Sequence, residues 1–450
     1  MFDKKQINVQ KNQKYIVKIE DFGSNGEGIA KIDGFTVFVP FAIVGEEVEI
    51  VIILVKSTFA IGKVLNIIKS SPNRVEPKCP YFKKCGGCQL QHMNYLLQLD
   101  YKRNFVQNCM NKYYSKDVNV ENCVPSVNVY NYRNKFAFPV QKIDGKICVG
   151  MYRINSHDFI KIDDCAIQTD CKNAIDAFVD WANEYNVEVY NESEKQGVRH
   201  VIARIYNNDL LFVVVSTKKM QKFDKLYEKL SKNYNIVGLI NNINTKNNNV
   251  IIGDKDYVVY GENKLSICEN GIGYTVNSHS FMQVNNEIKT KLYDAILNNI
   301  QKNDIVIDAY SGAGVLSAMM AKKCQKVYGI EIVKEAVDDA NMLKKNNNLR
   351  NLENLCADCA VAVPEIVKKS NANVIVLDPP RKGCDKNVVQ TVNNSGANKI
   401  IYVSCNPATL ARDLNYLNNY EIVCVIPYDM FPQTANVETL VILNKIADFN

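Results

Sequence analysis

The 450-residue chain lacks any apolar run near the roughly 18 residues a membrane span requires. Its opening stretch, MFDKKQINVQKNQKYIV, has charge but no apolar core, which argues against a secretory leader and for a cytoplasmic protein. An odd number of cysteines, 15, fits a disulfide framework badly, and cytosolic thiols stay reduced. Most of them, such as Cys109, Cys148 and Cys324, read as packing residues. No internal repeat is present, and neither is a flavin or nucleotide fingerprint. What remains is ordinary globular composition, 47% hydrophobic and 23% charged, with enough length for two or three cores.

The net charge of +6 is concentrated. Residues 1–70 carry 9 Lys and Arg against 8 Asp and Glu, residues 71–165 carry 14 against 8, and residues 166–450 carry 31 against 32. The basic segment also holds YKRNF, NKYY and YNYRNKFAF. Cations interleaved with aromatics suit phosphate contacts and base stacking, although a solvated surface over core aromatics has the same composition.

Three regions follow from the patterning. Residues 14–68 alternate Val/Ile/Phe-rich runs with Gly and Pro turns, as in a small oligonucleotide-binding type of barrel. SSPNRVEP reads as a linker. From about residue 280 apolar strands alternate with helices. Val284, Ile288, Leu292, Ile296 and Ile300 make a helical stripe, and DIVIDAYSGAG, KVYGIEIV, NVIVLDPP and KIIYVSCNP are strands ending in polar or glycine residues. This predicts an α/β, doubly wound parallel sheet with ligands at the strands' carboxyl ends. The expected boundaries are 1–70, 71–278 and 279–450, with the middle region mixed α/β and of unassigned topology.

Chemistry gathers at those strand ends. Asp308–Gly314 (DAYSGAG) joins a strand to a helix through glycines that open backbone N–H groups to a ligand. Glu331 ends the next strand, where it can accept from ribose hydroxyls. NAD and S-adenosylmethionine (SAM) sites share these features, but the third glycine of the dinucleotide fingerprint is absent, which favours SAM. In LDPPRKGCD two prolines make a rigid loop presenting Asp378. Amino methyltransferases have a similar loop, with an aromatic where this chain has Arg381.

Cys405, in VSCNP, ends a further strand before a helix start, where the helix dipole is expected to lower its pKa. A thiolate beside a methyl donor addresses one problem: carbon-5 of a pyrimidine is a poor nucleophile until a thiolate adds to carbon-6. A base must then remove the carbon-5 proton, and Glu438 in FPQTANVE is the candidate. A cytosine-modifying enzyme would place its cysteine after proline.

CPYFKKCGGCQLQHM places Cys79, Cys85 and Cys88 in one glycine-turned loop, which reads as a set of soft metal ligands. Zinc normally takes paired Cys-x-x-Cys arms, and only one is present. The spacing also differs from that of radical-SAM enzymes.

With FMQVN, DAYSGAG, YGIEIV, LDPPRKG, YVSCNPATLARDL and FPQTANVE in order, the chain resembles the TRAM-domain RNA uracil-5-methyltransferases over nearly its full length. SNGEGIAKIDGFTVFVPFAIVGEEVE resembles the TRAM barrel. The resemblance implies Cys405 as nucleophile, Glu438 as base, and SAM contacts at Gln283, Tyr310, Glu331 and Asp378. It also implies a [4Fe–4S] cluster on Cys79, Cys85, Cys88 and Cys165, with Cys171 as a nearby decoy. The cluster's expected role is structural. Arg133, Lys135 and His157 fall in segments that line the RNA side. Asn436 departs from the family pattern, which has His there. The implied activity is 5-methyluridine formation in 23S rRNA by a monomer, the ribosomal branch being favoured because barrel and cysteines occur together. Alternatives are a tRNA substrate, a nonmethylating RNA-binding or assembly factor on the same scaffold, and an Fe–S redox or thiolating enzyme.

Overall fold

The computed structural model describes residues 9–154, 156–191 and 193–447. The first eight residues of the stretch read as a non-secretory start therefore lie outside it.

The N-terminal region is a six-stranded sheet in the order Lys14–Lys18, Glu47–Val55, Phe59–Lys69, Phe35–Val39, Gly28–Ile32, Asp21–Phe22. The Glu20 N–H donates to the Ile29 carbonyl at 2.8 Å, returning the first strand to the fifth in that order and curling the sheet on itself. Alternation along the strands puts Val17, Val37, Val39, Val48, Ile50 and Ile52 inside. Fully buried Glu46 is answered by Arg74, which reaches it with a side-on pair of N–H groups at 2.6 and 2.8 Å.

The middle region, unassigned from sequence, is a second sheet of seven strands. Its order is Lys255–Gly261, Asn235–Ile243, Asp209–Ser216, Val198–Tyr206, Lys135–Ile143, Lys146–Tyr152, Phe159–Lys161. All pairings are antiparallel except Asp209–Ser216 with Asn235–Ile243, which the helix Phe223–Leu230 joins as a crossover. The helix Cys171–Glu184 covers the same face and buries Phe178 against Phe212 and Trp181 against Phe178 and Phe223. Ile202, Leu211 and Val213 instead join the core shared with the hairpin Leu265–Val276 and the helix Asn286–Asn298.

The third sheet also has seven strands, in the order Leu352–Cys356, Lys326–Glu331, Ile305–Ala309, Val374–Leu377, Lys399–Ser404, Glu438–Lys445, Tyr420–Tyr428. The first five are parallel; four of them are the expected apolar runs, and Leu352–Cys356 is added at the edge. Glu438–Lys445 is antiparallel to both of its neighbours. The order reverses between Ile305–Ala309 and Val374–Leu377, and such a switch point opens a crevice beyond the strand ends. Gly314, at φ 75°, starts the helix over this crevice; a Cβ there would lie 2.8 Å from the Ala340 Cβ.

One element crosses the expected boundary. The helix Tyr95–Tyr113, capped by Asn94 accepting from the Leu97 N–H, buries Val106 and Met110 in the same core as Ile400, Tyr402 and Val425. Residues 121–124 then bond to the carbonyls of Val425 and Pro427. Part of the 71–278 segment thus packs as a layer of the C-terminal sheet. Among the described residues no helix is long and apolar enough to cross a membrane.

Candidate active site

The carboxyl ends of two parallel strands and the amino end of the antiparallel strand beside them bring the expected residues together. Asp378 follows Val374–Leu377, Cys405 follows Lys399–Ser404, and Glu438 opens the strand whose Thr439 pairs with Ser404. That register sets Cys405 beside Glu438. The Asn406 side chain turns the chain, accepting from the Ala408 N–H at 3.1 Å and donating to the Arg381 carbonyl at 3.0 Å. Thr409 Oγ1 donates to the same carbonyl at 3.3 Å. The Asp-Pro-Pro loop and the cysteine turn are thus one tied unit.

The electrostatics correct one expectation. Cys405 is half-buried, and its thiol pKa is raised, first by burial and then by the charge of Glu438. The helix Pro407–Leu414 does not overcome this. What opposes the rise is the Arg381 guanidinium, by charge and by a hydrogen bond to the sulfur. Arg381 drew notice in the sequence only as a departure from another family's loop; its role depends on the fold placing it over the thiol.

Three carboxyl groups share the crevice. Buried Glu438 has its pKa driven well up by burial and by Asp378. Asp378 opens to solvent on one side yet is hemmed in by protein elsewhere, and burial with repulsion from Asp308 raises its pKa to about 7. Asp308, buried and accepting from Ser317 Oγ, is likewise raised to about 7 by burial. Carboxyls with such raised proton affinity, together in a cleft, are what proton-transfer chemistry calls for. Tyr293 lies close enough to Asp378, Asp308 and Glu438 for their charges to push its phenol up, after burial. It stands one position off the apolar stripe of its helix, and nothing in the sequence marked it.

Around the glycine turn, Tyr310, Gly312 and Gly314 all have positive φ, 66°, 54° and 75°. Glu331 is fixed by backbone donors: Gly312 N–H at 3.0 Å, and Ile332 and Val333 N–H at 2.9 Å each. Gln283 sits in a segment stitched to Asn134, whose Nδ2 donates to the Gln283 carbonyl at 3.0 Å.

A separate cavity of about 320 Å³ is lined by Cys79, Cys85, Cys88 and Cys165 together with Arg133, Lys135, Phe281 and Met282. Cys171 is not in its wall; its thiol donates to Asp164 Oδ1 at 3.3 Å. Burial, aided by mutual repulsion, raises the Cys88 and Cys165 thiols to about 12 and about 11. Among the described residues no group of three or more His, Cys, Asp or Glu is drawn close enough to hold a metal ion, so the expected metal centre is not shown. Lys135 is lowered to about 8, chiefly by burial and then by Arg204 and Arg133. His157 makes an edge contact with the Tyr152 ring, 6.1 Å between centroids. Asn436 is exposed, and its backbone N–H donates to Thr434 Oγ1 at 3.3 Å. Cys109, Cys148 and Cys324 are buried packing residues.

Residues 94–446 match the tRNA (Uracil-5-)-methyltransferase family, and residues 8–65 match the TRAM domain. The chain belongs to this family. An uncharacterized RNA methyltransferase of Clostridium tetani is 39% identical, with 99% of each chain covered. Another from Halalkalibacterium halodurans is 38% identical over 98% of this chain and 99% of the relative. The crystal structure of the Pyrococcus abyssi tRNA (uracil-54, C5)-methyltransferase in complex with S-adenosyl-L-homocysteine superposes with a TM-score of 0.77 at 25% identity, covering 95% of this chain and 99% of that one. The fold is therefore a mixed α/β SAM-dependent methyltransferase sheet preceded by a TRAM domain, in a family of RNA uracil-5-methyltransferases.

Proposed function

We propose that the chain methylates carbon-5 of a uridine in 23S rRNA, with Cys405 as nucleophile and Glu438 as base. The observation that carries this is the register that sets Cys405 beside Glu438, with Arg381 on the sulfur and Asp378 at the crevice mouth. In the first step Cys405 Sγ bonds to carbon-6, and the electrons of the 5,6 double bond move onto the ring as an enolate. Gln283, Tyr310, Glu331 and Asp378 would hold SAM, which when bound would supply the methyl group to carbon-5 and depart as S-adenosylhomocysteine. The Glu438 carboxylate then takes the carbon-5 proton. That electron pair re-forms the 5,6 double bond, the carbon–sulfur bond breaks, and Cys405 leaves as thiolate. Raised proton affinity makes Glu438 a stronger base for that step.

The target uracil must leave its stack to reach Cys405, so a loop or locally melted site is the expected substrate. The regions 1–70, 71–278 and 279–450 divide the work as barrel and RNA contact, cysteine-bearing RNA surface, and catalysis, in a cytoplasmic monomer. The cavity's donor set, four thiols in a space larger than one ion needs, suits a [4Fe–4S] cluster on Cys79, Cys85, Cys88 and Cys165 with a structural role. Binding it requires those thiols to shed their protons.

A tRNA substrate is the second reading, favoured by the solved Pyrococcus abyssi enzyme. Incubation with labelled SAM and either 23S rRNA or tRNA, followed by mass spectrometry, separates the two. No methyl incorporation into either RNA after anaerobic reconstitution would sink the enzyme reading. RNA carrying 5-fluorouracil should trap a denaturation-resistant adduct that vanishes in Cys405→Ala. A cluster-free preparation that is folded and active would refute the iron–sulfur assignment.

A further inference from the structure

The segment that leads into Glu438, residues 429–436, makes most of its polar contacts with residues more than 290 positions earlier in the chain. The Gln98 side chain and Gln433 form a closed pair: Gln433 N–H donates to Gln98 Oε1, and Gln98 Nε2 donates to Gln433 Oε1, both at 3.0 Å. Both side chains are buried, 1% and 3% exposed. The Gln433 carbonyl accepts from Gln89 and Leu90 N–H at 3.0 Å each, directly after Cys88. Gln89 Oε1 also accepts from Ala435 N–H at 3.3 Å. Tyr132 donates to the Pro432 carbonyl at 3.0 Å, and Lys102 to the Phe431 carbonyl at 3.0 Å. Gln433 itself has φ 70°, a left-handed conformation that glycine or asparagine normally takes. Such a backbone persists only where the surroundings over-determine it, and such points cluster at functional sites.

We propose that Gln98 and Gln433 are positioning residues for Glu438, setting its carboxylate for removal of the carbon-5 proton, and that they tie its placement to the segment following Cys88. The inference rests on the function proposed above and adds where the base gets its geometry. Gln98 lies on the Tyr95–Tyr113 helix, so the step that releases product is held by an element outside the catalytic loops.

Misplacing a base has a signature that general loosening lacks. Thiolate addition and methyl transfer proceed, but the carbon-5 proton stays, the carbon–sulfur bond does not break, and methylated enzyme–RNA adduct accumulates. The test uses full-length protein and the unmodified 23S rRNA or tRNA transcript that the wild type methylates. Single-turnover methyl transfer, kcat, KM and the denaturation-resistant adduct are measured for Gln98→Leu and Gln433→Ala. Expected are near-wild-type single-turnover transfer, unchanged KM, a kcat lower by roughly a hundredfold, and methylated adduct on denaturing gels. Gln98→Glu, which keeps the acceptor for Gln433 N–H, should recover part of kcat.

Transfer and release falling together without adduct, or kcat close to wild type, would overturn the proposal. If both variants fail to fold, Gln89→Ala, which removes the bond to Ala435 and the 3.0 Å bond to the Gly86 carbonyl, carries the same test with a smaller expected build-up, and no build-up there overturns it too. A wild type that forms no 5-fluorouracil adduct overturns the underlying function, and this inference with it. A wild type that 5-fluorouracil RNA traps and that turns over unmodified RNA, beside clamp variants that never accumulate methylated adduct on unmodified RNA, overturns this inference alone.

Discussion

Arg381 lowers the pKa of a thiol that burial and Glu438 raise, so it governs how much thiolate Cys405 presents near neutrality. Arg381→Met removes that opposition. The rate of adduct formation with 5-fluorouracil RNA should then fall at neutral pH and recover only at more alkaline pH than in wild type, read from the pH–rate profile. The carboxyls carry the opposite cost. Asp308 rises from 3.8 to about 7 on folding, so the native state holds its proton more tightly. Its contribution to stability is present below about pH 4 and lost as pH rises through about 7. Asp308→Asn should therefore raise the melting temperature of the apo protein at pH 8, with the gain shrinking towards pH 4, by thermal melts across that range. At this scale Cys405, Glu438, Asp378 and the glycine turn were legible, because each strand end has its own local motif. Arg381, Tyr293 and the raised thiol pKa were not, since burial and through-space charge depend on which loops meet.

At the level of elements, four of the five parallel strands between Ile305 and Ser404 could be read from their apolar runs and polar ends, but the polar edge strand Leu352–Cys356 could not. The middle sheet could not, because one parallel pairing within an antiparallel sheet leaves no periodic trace. Nor could the Tyr95–Tyr113 helix be placed. Its fully buried Lys102 looks like a surface residue until Asp429, 327 positions away, closes the ion pair. Tyr95 donates to the same carboxylate at 2.8 Å. Removing one partner leaves an uncompensated buried charge, which costs about 3–5 kcal/mol. Lys102→Met should lower stability by that order in denaturant titration, whereas a lysine at the exposed surface, such as Lys334, should be nearly neutral on replacement.

Over the whole molecule, the positive excess lies in residues 71–165, which hold the cysteine loop and the basic aromatic segments. Lys83 and Lys84 are exposed on that loop. If this face meets RNA phosphates, affinity should fall linearly in log–log plots against salt, and replacing both lysines by alanine should flatten the slope by about one unit per lost phosphate contact. Binding isotherms over a salt series check this, and methyl transfer at saturating RNA should be little changed.

The antiparallel strand Glu438–Lys445 has a consequence for how the molecule is made. It slides between Lys399–Ser404 and Tyr420–Tyr428, both of which precede it in the chain. During synthesis from the amino end, those two strands leave the ribosome as the rims of an empty slot, with Cys405 just past the end of one of them. The Cys405 thiol cannot meet Glu438 until the following strand closes the slot. A chain cut short before that strand has two open sheet edges and no Glu438.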